Sequence, residues 1–349
     1  MQKLPDFPWD LLAPYGDKAK KHPDGFIDLS QGTPVDATPK FIQDALSKAS
    51  NSPSYPLTAG SEELRAAIKD FAIKTLGVTG EFDVLPTIGS KELIALLPTF
   101  LQSKTVLYPA VAYPTYLVGA LMASAQPTPV EIDATTWPVA DLAWVNSPSN
   151  PTGQVQSSEQ LLAAINWARK NNSILASDEC YLSFTTTGKS ILALSGGNNS
   201  GLLAVHSLSK RSNLAGYRAA FLIGDSKLID QIRQIRKHAG LMVPLPVQQA
   251  MIAALSENKH AQEQSQRYLA RGVKLKSALV NAGFTIEHSE AGLYIWCTKG
   301  EDGFKTVDYF AAMGILVTPG SVYGSNNFVR IALTATDENI DKAIARINS

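Results

Sequence analysis

The sequence predicts an α/β fold, a mainly parallel sheet sandwiched by helices, together with a smaller α+β unit. Three observations lead there. From about residue 38, short apolar runs alternate with longer amphipathic ones, the rhythm of strands joined by crossover helices. Several apolar runs end in polar clusters, the place where ligands of such sheets bind. Near residue 244 the rhythm changes to two long helical patterns followed by four short strand-like runs.

The elements follow in order. "SEELRAAIKDFAIK" carries acidic residues in its first turn and apolar residues at helical spacing. "KTVLYP" reads as a strand, "PTYLVGALMAS" as a helix and "AWVNSP" as a strand. "SSEQLLAAINWARKNN" opens with a capping box from Ser157 to Gln160 and continues as an amphipathic helix. "SILASDE", "SGLLAVHS" and "AAFLIG" are three further strands. "PLPVQQAMIAALSENK" and "HAQEQSQRYLARGVKLKSALVNAG" then read as helices, and "FTIEH", "LYIWC", "ILVTPG" and "FVRIAL" as strands. The expected division is a large unit over 37–244 and a small one built from 1–36 and 245–349.

The 349 residues, 45% hydrophobic and 18% charged, are enough for two buried cores. Lysine plus arginine equals aspartate plus glutamate, 31 each, so no global basic field exists to hold nucleic acid or a membrane surface. Two cysteines, Cys180 and Cys297, make neither a disulfide framework nor a metal-binding pair. The N-terminal stretch lacks the apolar core of a secretory signal, and no run is long enough to span a bilayer. The expectation is a cytoplasmic protein without membrane or nucleic-acid partners.

Several catalytic motifs fail on inspection. Ser207 and Lys210 form S-x-x-K, but the S-D-N and K-T-G tripeptides that a β-lactamase needs are absent. "TGKS" at 187–190 lacks the first P-loop glycine, since Ser183 stands there. There is no G-x-G-x-x-G and no H-E-x-x-H, and the five histidines show no ligand spacing, so no metal is expected.

An ordered set at strand ends survives: Asn150, Asp178, Tyr181, Ser207, Lys210 and Arg218, with Arg330 far downstream. Each has an ordinary reading as turn, cap, half-buried aromatic or surface charge. Arg330 is harder to dismiss, because a charge inside the apolar "NNFVRIAL" needs an edge, a partner or a ligand. Together the set suits pyridoxal phosphate. Lys210 can form a Schiff base with the aldehyde, and Asp178 can sit beside the pyridine nitrogen. Asn150 and Tyr181 can bond the phenolic oxygen. Gly89-Ser90-Lys91 at a helix start, with Ser207 and Arg218, can cradle the phosphate. Tyr113 can stack on the ring, and Arg330 can grip a substrate carboxylate.

"NSPSNPTG", "SDECY" and "SLSKRSNLAGYR", in that order, resemble the fold-type I, class I/II aminotransferases, from "DLSQGTP" to the C-terminus. The resemblance implies a ping-pong transaminase with amino acid and 2-oxo acid substrates. It implies Lys210 as the cofactor lysine, Asp178 at the pyridine nitrogen, and Asn150 and Tyr181 at the phenolic oxygen. Ser90, Lys91, Ser207 and Arg218 are implied at the phosphate and Arg330 at the substrate α-carboxylate. Gly32 matches the loop glycine that closes over substrate. Tyr55 matches a tyrosine that reaches the neighbouring subunit's phosphate, which implies a homodimer with shared active sites. "FPWDLL", "GTPVDATP" and "IGSKELIALLPT" are most similar to actinobacterial succinyldiaminopimelate transaminases of lysine biosynthesis. Ser183 after "DECYL" and "SQG" in place of "SVG" depart from that pattern near the substrate loops. Other readings stay open: an aspartate, alanine or aromatic aminotransferase, a C–S lyase of the same fold, or a non-enzymatic regulator module. Lys91, Arg211 and the N-terminal segment are candidates for a second carboxylate at the distal end of the substrate, but the sequence selects none of them, and Arg211 has no assigned role.

Overall fold

The computed structural model describes residues 4–349; the first three positions of the unit expected over 1–36 lie outside them. Thirteen strands are formed among the described residues: β1 (Ile27–Asp28), β2 (Asp83–Thr87), β3 (Thr105–Pro109), β4 (Gln126–Val130), β5 (Leu142–Asn146), β6 (Ile174–Asp178), β7 (Leu202–Ser207), β8 (Ala220–Gly224), β9 (Thr285–Ile286), β10 (Tyr294–Thr298), β11 (Ile315–Leu316), β12 (Thr318–Pro319) and β13 (Val329–Ala332). Seven make one sheet in the order β2-β8-β7-β6-β5-β3-β4. Within it β8 is antiparallel to both neighbours, and β7, β6, β5, β3 and β4 run parallel.

Alternation along the strands fills two cores. Val84, Ala143, Leu175, Leu202 and Ala204 join one face with Ile68 and Ile165. Their chain neighbours Leu85, Trp144, Ala176, Leu203 and Val205 join the other. Successive side chains point to opposite faces, so a sheet covered on both sides needs apolar residues at nearly every position. The helix Ser158–Asn171 forms as expected, and both halves of its capping box are made.

β2 and β4 carry no clear signal in the sequence, for one reason. Both are sheet edges, and both hold proline: Pro86 in β2, Pro127 and Pro129 in β4. Proline cannot donate to a ladder and is tolerated on edges. "ILVTPG", read as one strand, divides into β11 and β12, which belong to different sheets. β11 pairs with β1 from the N-terminal segment, and β12 joins β13, β10 and β9.

The helix Leu245–Leu255, expected to open the smaller unit, instead packs Ala250, Met251 and Ala254 with Ile42 and Leu64 on the larger sheet's core. The long helix Lys259–Asn281 turns to the four-stranded sheet, where Tyr268 and Leu275 meet Leu293 and Ile331. Arg271 on that helix, 3% exposed, clamps Asp36 with two hydrogen bonds of 2.9 Å and reaches Asp337 at 2.6 Å. Burial tends to raise the Asp36 carboxyl, but the bonds from Arg271 and Gln264 hold it below its ordinary value. A depressed folded-state pKa gives stability that is present above the unfolded value and lost as pH falls through the folded one. Asp36→Asn should therefore lower the melting temperature at pH 7 and reduce its further fall between about pH 4 and pH 2. Melting curves across that range check it.

Candidate active site

Register brings the strand-end residues to one edge. β5 and β6 are parallel with Asn146 opposite Asp178, so Asn150 and Asp178 leave the sheet side by side. β7 runs parallel to β6 and ends at Ser207, three residues before Lys210. Because β8 is antiparallel, its start lies at the same edge, with Ala220 opposite Ser207; Arg218 stands two residues before it. β2 ends at Thr87 on that edge, and Gly89 and Ser90 follow. A cavity of about 210 Å³ there is lined by Ser90, Lys91, Tyr113, Asn150, Asp178, Tyr181, Ser207, Lys210 and Arg218 from the larger sheet's side. Gly32 and Arg330 line it from the N-terminal segment and β13. Of the predicted site residues, Tyr55 alone stays outside; it is 93% exposed.

Asp178 is buried and takes 2.7 Å from the Tyr116 hydroxyl at Oδ2 and 3.1 Å from the Cys180 amide at Oδ1. Burial, and then the Asp178 charge, push the Tyr116 phenol well above its ordinary pKa, so it stays a donor. The Asn146 amide donates to the Asp178 carbonyl at 2.9 Å, and its Oδ1 accepts from the Asn150 amide at 2.8 Å, which fixes the loop between them. Tyr181 and Tyr294 hydroxyls meet at 3.1 Å, and burial, followed by Tyr294, raises the Tyr181 phenol. Burial likewise lifts Tyr113 to about 12.

Arg330 is 2% exposed and makes no ion pair among the described residues. Its Nη1 donates to Asn150 Oδ1 at 2.8 Å and its Nη2 to the Ser30 carbonyl at 2.5 Å, while Nε has no partner. Tyr294, Tyr323 and Trp9 surround the guanidinium, their ring centres 4.4, 4.9 and 5.7 Å away. A buried cation without an acid is costly unless a ligand supplies one.

Two glycines are needed here. A Cβ on Gly32 would come within 2.2 Å of the Tyr294 hydroxyl, and one on Gly89 within 2.2 Å of Arg218 Nη2. Gly89 also has φ of +94°, where side chains are strained. Arg218 itself adopts φ of +56° and is held by an Nη1 bond of 2.9 Å to the Ala215 carbonyl. Gly89→Ala is expected to displace Arg218 and weaken binding of a phosphate by about 10–150-fold, the loss of one charge-assisted bond. Equilibrium titration with the cofactor checks this.

The chain's residues 24–347 match the family model for aminotransferase class I and II. The chain belongs to the class I and II aminotransferases. It is 47% identical to a 4-dedimethylamino-4-oxo-anhydrotetracycline transaminase of Streptomyces rimosus, over 99% of this chain and 100% of that one. It is 32% identical to an LL-diaminopimelate aminotransferase of Dehalococcoides mccartyi, over 92% and 90%. A solved structure of a probable N-succinyldiaminopimelate aminotransferase from Thermus thermophilus superposes with a TM-score of 0.89 at 26% identity, covering 98% and 99%.

Aminotransferases of this family depend on pyridoxal phosphate, and the cavity suits it. Lys91, Lys210 and Arg218 face it without an ion-pair partner among the described residues, a cationic surplus that suits an anionic cofactor and substrate. Burial, and then the neighbouring Arg218 charge, lower the Lys91 pKa. Among the described residues, the Asp178 carboxylate is the one acid lining the cavity. Tyr294, Trp9 and Ser209 on the cavity wall, and Tyr116 behind Asp178, were not among the residues the sequence pointed to. Tyr116 follows Tyr113 by three residues, across a turn closed by its amide's bond to the Tyr113 carbonyl, and that spacing could have flagged it. Tyr294 and Trp9 reach the site only through tertiary packing. No helix among the described residues is long and apolar enough to cross a membrane.

Proposed function

We propose that this aminotransferase moves an amino group between glutamate and a 2-oxo acid of the succinyl-amino-oxopimelate type, one that carries a carboxylate beyond the reacting keto acid. The carrying observation is Arg330, a buried guanidinium on the cavity wall with neither a partner for Nε nor an acid partner among the described residues. It suits an α-carboxylate. Lys91, whose Nζ lies 5.2 Å over the Phe7 ring, offers a second cation for a distal carboxylate. The names of the Dehalococcoides and Thermus proteins support a diaminopimelate-type partner.

When bound, the cofactor supplies an electron sink for the substrate's α-carbon. Asp178 would face the pyridine nitrogen and favour its protonated form, with Tyr116 fixing the carboxylate. Asn150 and Tyr181 would bond the phenolic oxygen. Asn150 also accepts from Arg330, so the carboxylate site and the ring site share one side chain. The Ser90 and Lys91 amides, Ser207 and Arg218 hold the phosphate. Lys210 Nζ would hold the aldehyde carbon and, once displaced by the donor's amine, would be free to take the proton from the substrate Cα. Tyr113 would cover the ring, and Gly32 leaves room for the Tyr294 hydroxyl beside it.

Tyr55 and Leu57 are exposed at 93% and 67%. We expect Tyr55 to complete the site of a second copy, so that sedimentation shows a dimer and Tyr55→Phe weakens cofactor retention.

A panel of amino donors and acceptors tests the reading. Glutamate with dicarboxylic 2-oxo acids should turn over fastest, with parallel double-reciprocal lines. The Streptomyces relative favours a second reading, a polycyclic ketone acceptor, and a 4-oxo-anhydrotetracycline belongs in the panel. Preference for that ketone, or product formed without any acceptor, overturns the proposal. Arg330→Gln should lower kcat/KM for 2-oxo acids about 10–150-fold, the loss of one charge-assisted carboxylate bond.

A further inference from the structure

Arg211 follows the cofactor lysine yet turns away from the cavity. Neighbouring side chains on a helix diverge by about 100°, so when Lys210 faces the cavity Arg211 faces the corner between helices Leu245–Leu255 and Lys259–Asn281. It is 3% exposed. Its Nη1 donates 2.9 Å to the Ala254 carbonyl and 3.2 Å to Ser212 Oγ. Its Nη2 bonds Asn258 Oδ1, and the guanidinium lies 5.0 Å over the Phe71 ring. Among the described residues it makes no ion pair. Ala254 is in the last turn of its helix, where carbonyls lack intrahelical partners and favour a cation.

The contacts continue. Ser212 Oγ meets His260 Nε2 at 2.8 Å, and His260 Nδ1 meets Glu257 Oε1. The Glu257 carboxylate only accepts, so His260 carries its proton on Nδ1. Burial lowers the His260 pKa, and in the neutral ring Nε2 accepts from Ser212, whose oxygen in turn accepts from Arg211. The order Arg211 to Ser212 to His260 to Glu257 thus has a single polarity.

The helix carrying Lys210, Leu208–Arg211, has four residues. A single turn has no stability of its own, because nucleation is unfavourable by about 10⁻³. Its start is held by Ser207, whose Oγ accepts from the Ser209 amide at 3.1 Å. We infer that Arg211, through Ala254, Asn258 and the Ser212–His260–Glu257 chain, is the positioning residue that fixes the Lys210 helix, and that it takes no part in binding substrate. This rests on the reading of Lys210 as the cofactor lysine. It removes Arg211 from the candidates for the distal carboxylate.

The test uses purified holoenzyme and three variants, Arg211→Lys, Ser212→Ala and Asn258→Ala. Lysine keeps the charge and stem but cannot make the forked contacts. The expected result for Arg211→Lys is a roughly tenfold fall in kcat, KM for both substrates within twofold, and a displaced pH midpoint of the near-visible cofactor band. Ser212→Ala and Asn258→Ala should move kcat and the band the same way, by less, and they serve if Arg211→Lys does not fold. A lower melting temperature with kcat and band unchanged assigns Arg211 to stability alone and overturns the inference. So does a tenfold rise in KM for a dicarboxylic substrate at constant kcat. Wild-type enzyme without the band would instead overturn the assignment of Lys210.

Discussion

Lys210→Ala is expected to abolish the near-visible absorbance of the holoenzyme and to lower transamination about 10²–10⁴-fold, the contribution of one well-placed acid–base group. β7 ends at Ser207 and the short helix after it carries Lys210 into the cavity, opposite Asp178 at the end of the adjacent parallel strand. Two functions meet in one amine, anchoring the aldehyde and moving the α-proton. An added small amine can restore the second but not the first. Partial rescue of rate by methylamine, without return of the protein-linked band, separates them. Full activity in the variant would remove Lys210 from the chemistry.

Asp178→Asn is expected to cost about 10²–10³ in kcat, the scale of removing one preorganised electrostatic contact, with little change in KM. Asparagine keeps the size and can still meet the Tyr116 hydroxyl and the Cys180 amide, which now bond Asp178 at 2.7 and 3.1 Å. What it removes is the negative charge facing the cavity. Folding should survive, so melting temperature and cofactor occupancy act as controls. Single-turnover measurement with glutamate resolves the step. A loss confined to KM would mean that the carboxylate binds substrate instead.

Much of this was legible in the sequence, and the reasons are particular. β5, β6 and β7 are buried on both faces, so "AWVNSP", "SILASDE" and "SGLLAVHS" read as unbroken apolar runs with their polar ends attached. Once those runs are strands of one parallel sheet, Asn150, Asp178 and Lys210 must share an edge. Arg330 betrayed itself as a charge inside an apolar run. The edges were not legible, since Pro86, Pro127 and Pro129 speak against strands until their edge position is known. Nor were Tyr294 and Trp9, which meet Arg330 from segments far apart in the chain. The helix Leu245–Leu255 was assigned to the smaller unit because the chain's rhythm changes there. Its Met251 and Ala254 pack otherwise, and the partners that decide this, Ile42 and Leu64, lie far earlier in the chain.

The central claim is that the cofactor is held on Lys210. Reduction of the holoenzyme with borohydride, followed by digestion and mass spectrometry of the peptides, tests it most directly. A reduced cofactor adduct on Lys210 is expected, lost when excess glutamate is added before reduction. An adduct on Lys91 or any other lysine, or one that glutamate leaves untouched, would contradict it.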